Sequence, residues 1–412
     1  MTLSHLSLLC LLLYSCAACQ SDSADRQVVP TPRLQEISTP VAEGGQPNLF
    51  LAGDGTLYLS WVDYLDDTTD ALRLAPWEGQ GWGAAREIAR GTDWFVNWAD
   101  FPSFATFPGS EAAAAHWLQK SAMGTYDYDV RIALSPDAGR QWSPAFIPHT
   151  DGVAAEHGFV TLLPLPNGRI MATWLDGRNT KTTEETQDHG HGGAMTLRAA
   201  EFDTTGQLFA EAELDARVCD CCQTDAAWTT DGPVVVYRNR SDEEIRDMAI
   251  VRRVNGEWTA PALIHADNWV IPGCPVNGPA VAANGPPVAV ACFTAAHDSA
   301  RVLVAFSPDA GATFQPPIRL DQGNPEGRVD VVRTANGTAW VSWLERADQV
   351  AEIRLAEIRP DGHVQGNYAL TTTEASRQSG FPILERLDDR LLLAWTAVDS
   401  TGTSVKTATI DW

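Results

Sequence analysis

The chain of 412 residues carries 53 acidic and 29 basic side chains, a formal net charge of −24, with 44% hydrophobic residues and 15 tryptophans. So large an acidic excess excludes nucleic acid or an anionic membrane surface as the main partner, since both need clustered Lys and Arg. The apolar share suffices for one large domain or two ordinary ones, and any anionic ligand would need a local group of arginines.

The chain begins with an apolar run, Leu6 to Tyr14, followed by Ala17-Ala18-Cys19 and a polar, acidic stretch. The run is too short to span a bilayer and reads as a signal peptide over residues 1–19. Its small-small-Cys end resembles a bacterial lipoprotein signal, with Cys19 as the lipidated residue. It departs from that pattern in having no Lys or Arg before the run and Cys16 where Leu is usual. Residues 20–30 read as a flexible tether, and residues 31–412 as one folded domain. The expectation is export to the bacterial cell envelope, in the periplasm or at the outer membrane, with membrane contact only through the lipid anchor. Cysteines there can persist as disulfides.

From residue 31 onward one pattern recurs: LYLSWVD, AAAHWLQ, IMATWLD, VVVYRNR, VAVACFTA, AWVSWLE and LLLAWTA. Aligned on the aromatic position, the copies centre on Trp61, Trp117, Trp174, Arg238, Phe293, Trp343 and Trp395, spaced 50 to 64 residues apart. β-Branched and aromatic runs bounded by Gly and Asp-Gly turns are strand chemistry. About four such runs per repeat predict the four antiparallel strands of a β-propeller blade. The fold class is therefore all-β: one propeller of seven blades, with six as the alternative. The last repeat has only three strands, and its fourth is expected from the N-terminal side, near Arg33–Ser38.

Two segments, Ser135-Pro-Asp-Ala-Gly-Arg-Gln-Trp142 and Ser307-Pro-Asp-Ala-Gly-Ala-Thr-Phe314, share the form S-x-D-x-G-x-x-aromatic. An Asp that accepts backbone N–H groups and a Gly in the left-handed region make this a hairpin clasp between a blade's third and fourth strands. These segments resemble the Asp-box, or BNR, repeats of the sialidase superfamily. The resemblance implies a propeller over most of the chain and an exo-acting glycoside hydrolase. Such an enzyme has an arginine triad for a substrate carboxylate, a Tyr/Glu nucleophile pair and an Asp acid/base. The Arg-Ile-Pro motif of sialidases is missing, and the nearest echo, Phe381-Pro382-Ile383, lies near the C-terminus. The closer likeness is to uncharacterised sialidase-like exported bacterial proteins.

Blade topology places the loops between second and third strands on one face, together with the connections between blades. The Asp-box turns fall on the other. The first face gathers the unusual residues. Arg178, Arg238, Arg240, Arg328 and Arg377 are candidate ligands for an acidic sugar or small anion, because guanidinium groups suit bidentate carboxylate recognition. Arg238 also has a bland reading as a buried, paired charge. Asp63, Asp100 and Asp176 are acid/base candidates, although a strand-end Asp is more often a turn former. Tyr237 is a candidate nucleophile, although a tyrosine in a β run is more often packing. Glu244 and Asp247 are either acid/base partners or part of a solvated loop. In VCDCCQTD, Cys219, Cys221 and Cys222 lie on the connection into blade four, and Cys274 on the next connection. The favoured reading is a disulfide joining the two. The other is a Cu or Zn site completed by His189 and His191. Two functions stand: glycan binding or hydrolysis on an arginine-rich face, or a non-catalytic envelope module with a metal site or disulfide clasp.

Overall fold

The computed structural model describes residues 31–41, 43–181, 193–400 and 402–411. The signal, lipid-anchor and tether expectations fall outside these residues, as do His189 and His191. Apart from two short 3₁₀ turns, every element among the described residues is a strand. The strands form seven antiparallel sheets. The innermost strands are Gly44–Leu51, Ser103–Thr106, His157–Leu165, Asp225–Trp228, Ala280–Ala283, Pro325–Arg333 and Ile383–Leu387. Each packs beside the next, and the last packs beside the first, so the sheets are the blades of a closed seven-bladed propeller. Ring closure is the expected one: Arg33–Ile37 pairs with Gly402–Asp411 as the outer strand of blade seven. The radial arrangement leaves unpaired strand edges only at the outer rim and along the central channel. In blade two the fourth position is held by a bridge between Phe146 and Ile132 and by the Ser143 N–H, which donates to the Leu134 carbonyl at 2.8 Å.

Seven apolar clusters fill the seven gaps between neighbouring blades. The second strands therefore bury both faces, which is why their sequences are continuous apolar runs and not alternating ones. In blade one, Leu57, Leu59 and Trp61 pack against blade seven while Tyr58 packs against blade two.

This two-sided burial corrects the repeat alignment in two blades. Trp61, Trp117, Trp174, Trp343 and Trp395 all face the preceding blade. In blade four the residue on that side is Tyr237, and in blade five it is Cys292. Arg238 and Phe293 face the following blade instead. A one-residue slip moves a side chain to the opposite face of a sheet, and a run apolar on both faces gives no sequence signal of the slip.

Three tryptophans repeat a further device. The indole N–H of Trp61, Trp174 and Trp343 donates to Asp63, Asp176 and Glu345, each two residues on along the same strand face. An arginine then neutralises each acid: Arg73 on Asp63 at 3.1 Å, Arg178 on Asp176 at 2.7 Å and Arg354 near Glu345 at 3.7 Å.

The two S-x-D-x-G segments form hairpin clasps. Ser135 Oγ accepts the Gly139 N–H at 2.8 Å and Asp137 accepts those of Arg140 and Gln141. Ser307 and Asp309 repeat the pattern with Gly311 and Thr313.

The innermost strands also carry carboxylates that the sequence reading passed over. Asp225 accepts the Val281 N–H of the next blade at 2.7 Å, and Asp330 accepts that of Leu384, also at 2.7 Å. With Glu385 they line the central cavity of about 310 Å³. Burial pushes Asp225 and Glu385 up to about 7. A carboxyl that titrates higher in the folded than in the unfolded chain holds its proton more tightly when folded. Stability should therefore decline as pH rises from about 4 through about 7. Carboxyls held low, such as Asp137 and Asp309, lose their contribution only on further acidification. The urea midpoint is expected to be higher at pH 5 than at pH 8; a midpoint rising across that window would contradict this assignment.

Candidate functional site at the mouth of the propeller

The mouth is built from blade-to-blade connections and from loops between second and third strands. Its thiol cluster comes from two neighbouring connections. Cys219 N–H donates to the Arg238 carbonyl at 3.0 Å, which fixes the first connection on blade four. Gln223 then ties it to the second, accepting the Gly278 N–H at 2.9 Å. A Cβ at Gly278 would lie 2.2 Å from the Gln223 carbonyl oxygen, so only glycine allows this approach. Cys219 Sγ stands 3.8 Å from Cys221 Sγ and 3.6 Å from Cys222 Sγ. Cys274 approaches Cys221, with the Asp220 carboxylate beside both. The expected disulfide is not formed: Cys219, Cys221, Cys222, Cys274 and Cys292 are all free thiols. Sulfurs 3.6–3.8 Å apart are in nonbonded contact, well beyond the ~2.05 Å of a disulfide.

Arg246 lies against this cluster. Its guanidinium donates to Cys219 Sγ at 3.2 Å, to Asp220 at 3.0 Å and to Glu244 at 2.8 Å. Hydrogen bonds from Cys221 and Cys222, with Arg238 and Arg246 adding positive charge, hold the Cys219 thiol well below its ordinary range. Burial pushes Cys222 up to about 12.

The candidate arginines do not form one clamp. Arg178 is spent on Asp176, to which it makes two bonds of 2.7 Å. Arg240 is held by Glu244, also the partner of Arg246. Arg238, 2% exposed, donates to the carbonyl oxygens of Arg246, Asn277 and Phe293 at 2.7–3.1 Å, with Trp269 under its guanidinium. Tyr237 is fully buried and donates its hydroxyl to Asp215 at 2.6 Å. That acid neighbour and burial push the phenol well up, leaving it a packed, hydrogen-bonded core residue. Asp63 is held by Trp61 and Arg73, and Asp247 caps the backbone of Asn268 and Trp269.

Arg328 and Arg377 do meet. Both guanidiniums lie near the Trp98 ring, at 4.9 and 5.9 Å from its centroid. With Arg346, Asn277 and Cys274 they line an open groove of about 350 Å³. Arg328 is anchored to the Ser376 and Gly380 carbonyls and sits in the left-handed region at φ 56. Such strain in a non-glycine residue collects at ligand sites. Burial, with Arg377 and Arg346 nearby, lowers Arg328 to about 10. Among the described residues Arg377 has no acidic partner.

Next to the thiol cluster lies a group of acids that the sequence reading found only in part. The Tyr128 hydroxyl donates to Glu156 at 2.9 Å and lies 3.3 Å from Asp100, which also accepts the Phe159 N–H. Burial raises Asp100 to about 7. Burial also raises Glu156 to about 8, with Asp100, Asp220 and Cys274 adding to the rise. Glu156 is thus the link between these acids and the thiols. A second cluster went unnoticed: His149 and His157 stack at 3.8 Å, with Asp129, Asp151 and Asp176 around them. Its members are spread over residues 129 to 176 and carry no shared motif.

No family model matches the chain, and no curated protein matches its sequence. Several solved structures do. A protein of unknown function from Dyadobacter fermentans is 13% identical, with a TM-score of 0.54 over 93% of this chain and 100% of its own. A Penicillium chrysogenum α-L-arabinanase, solved with arabinobiose, is 14% identical with a TM-score of 0.50 over 93% and 99%. The chain has the sialidase-like β-propeller fold. A leech intramolecular trans-sialidase, solved with 2,7-anhydro-Neu5Ac, shares it at 9% identity and a TM-score of 0.50 over 92% and 91%. The repeat count of seven, and not six, is the arrangement present in this sialidase-like propeller.

Proposed function

We propose that this is an exported, lipid-anchored propeller that binds acidic sugars in the Trp98 groove and acts on glycans there. The observation that carries this reading is the convergence of Arg328, Arg346 and Arg377 on one open groove, with Arg377 lacking an acidic partner among the described residues. A guanidinium without an acidic partner among the described residues, in a chain of net charge −24, is the group most suited to a sugar carboxylate. The carbohydrate ligands of the arabinanase and the trans-sialidase support the reading by analogy of fold, which does not by itself establish activity. For chemistry beside the groove, Glu156 is the candidate proton donor: it is near Cys274, which lines the groove, and a carboxyl raised to about 8 is protonated at neutral pH.

Calorimetric titration with sialyl and uronate oligosaccharides tests the binding. Arg377→Ala should weaken it about tenfold or more, the loss of one charge-assisted contact of roughly 1.5–3 kcal/mol. If turnover is found, it should decline as pH rises through about 8 and collapse in Glu156→Gln. Folded protein that binds none of these sugars would end the reading. Binding without turnover of sialosides or polyuronates would leave a non-catalytic module.

A further inference from the structure

The thiol cluster meets the sugar groove only at Cys274, and its geometry stands independently of that reading. Three sulfurs converge from one short connection, where Cys219 and Cys222 are buried at 1% and 2% exposure. The fourth, Cys274, arrives from the adjoining connection, is exposed, and approaches the half-buried Cys221. A tetrahedral ion with metal–sulfur bonds of ~2.3 Å sets its sulfurs about 3.8 Å apart. The observed separations from Cys219 are 3.8 and 3.6 Å. Three of the thiols therefore already stand near the vertices of a coordination polyhedron, and Cys274 approaches it beside Cys221.

The surroundings suit a thiolate centre. Four thiolates around a divalent ion leave two negative charges. Two buried guanidiniums, Arg238 and Arg246, stand beside them. Arg246 donates to Cys219 Sγ, and its carbonyl accepts from Arg238 at 2.7 Å, so the first cation is positioned by the second. Such outer contacts orient ligands and compensate their charge. Thiolate sulfur selects Cu(I) and Zn²⁺ over harder cations. The exposed Cys274 supplies the path of entry.

We propose that Cys219, Cys221, Cys222 and Cys274 form a centre for one thiophilic d¹⁰ cation, Zn²⁺ or Cu(I), at the rim of the propeller mouth. The full chain, reduced with a phosphine and kept free of oxygen, is titrated with Co²⁺ as a spectroscopic probe. The expected result is one equivalent bound, with sulfur-to-cobalt charge transfer in the near ultraviolet and its loss on adding Zn²⁺. In a parallel arm, Cu(I) is offered in competition with a chromophoric chelator. Uptake of Cu(I) with refusal of Co²⁺ and Zn²⁺ assigns a copper(I) site; uptake of Zn²⁺ with refusal of Cu(I) assigns a zinc site. Cys274→Ser, at an exposed position that should not disturb folding, and Cys221→Ser should each weaken binding more than about 100-fold, beyond the effect of an outer-shell change. Cys292→Ala, in the core between blades four and five, should leave it unchanged. Reduced, folded protein that takes up none of the three ions overturns the proposal, as does binding that persists in Cys221→Ser.

Discussion

Arg238→Ala is expected to lower stability by about 3–5 kcal/mol, the cost of breaking a buried charged network on one side. Its guanidinium makes four hydrogen bonds to three carbonyl oxygens: one in the loop of blade four, one in the connection to blade five and one at the end of the second strand of blade five. Truncation leaves all three acceptors buried without a donor. Arg238→Lys should recover only part of the loss, because an ammonium cannot span three carbonyls with a planar fork. Urea denaturation gives the difference directly. A loss below about 1 kcal/mol, at the level of an ordinary surface change, would reinstate Arg238 as a group free to bind an anion.

Asp176→Ala carries the second large effect, again about 3–5 kcal/mol. Asp176 is fully buried and holds the Trp174 indole at 2.8 Å, the Arg178 side chain twice at 2.7 Å and the Arg178 N–H at 3.1 Å, with His157 3.7 Å away. Hydrogen bonds from Arg178 and the nearby His157 keep its carboxyl low although burial opposes them. Removing it strands a tryptophan N–H and an arginine between blades two and three. Asp176→Asn keeps the shape and one acceptor, so it should cost less than Asp176→Ala. If both variants fold with unchanged urea midpoints but lose glycan turnover, Asp176 is catalytic and the bracket is incidental.

Particular residues show how far the sequence could be read. Trp61, Trp174 and Trp343, each followed two positions later by an acid, marked both the second strand of a blade and the bracket it makes. Sequence reading used the tryptophans for the count of seven but took Asp63 and Asp176 as candidates for chemistry. Nothing local separates an acid that serves an indole from one that serves a substrate. Tyr237 and Arg238 were exchanged for the same kind of reason. In VVVYRNR every residue up to Arg238 is buried, so composition gives the strand and not its face. The CDCC connection and Cys274 were correctly expected to be neighbours, because successive connections lie side by side around a propeller. Their bonding state was a matter of distances between sulfurs, which spacing in the sequence does not set.

The sequence by itself determined the architecture: a period of 50 to 64 residues, strand chemistry in each copy, two S-x-D-x-G clasps and a missing outer strand that only the N-terminal side could supply. These are local preferences repeated often enough to agree with one another, and a closed ring is the arrangement that buries them all. Only the tertiary structure decided which polar groups were consumed in holding the ring and which were left over. Arg178, Arg238 and Arg240 found partners, whereas Arg377 has no acidic one among the described residues; Asp100 and Glu156 were brought beside Tyr128 from separate connections; three thiols were set at coordinating distance without joining, with Cys274 beside Cys221. Partners of this kind lie as far as 59 residues apart in the chain, and their pairing depends on loop paths across blades. That is a long-range property, and no local pattern of residue types encodes it.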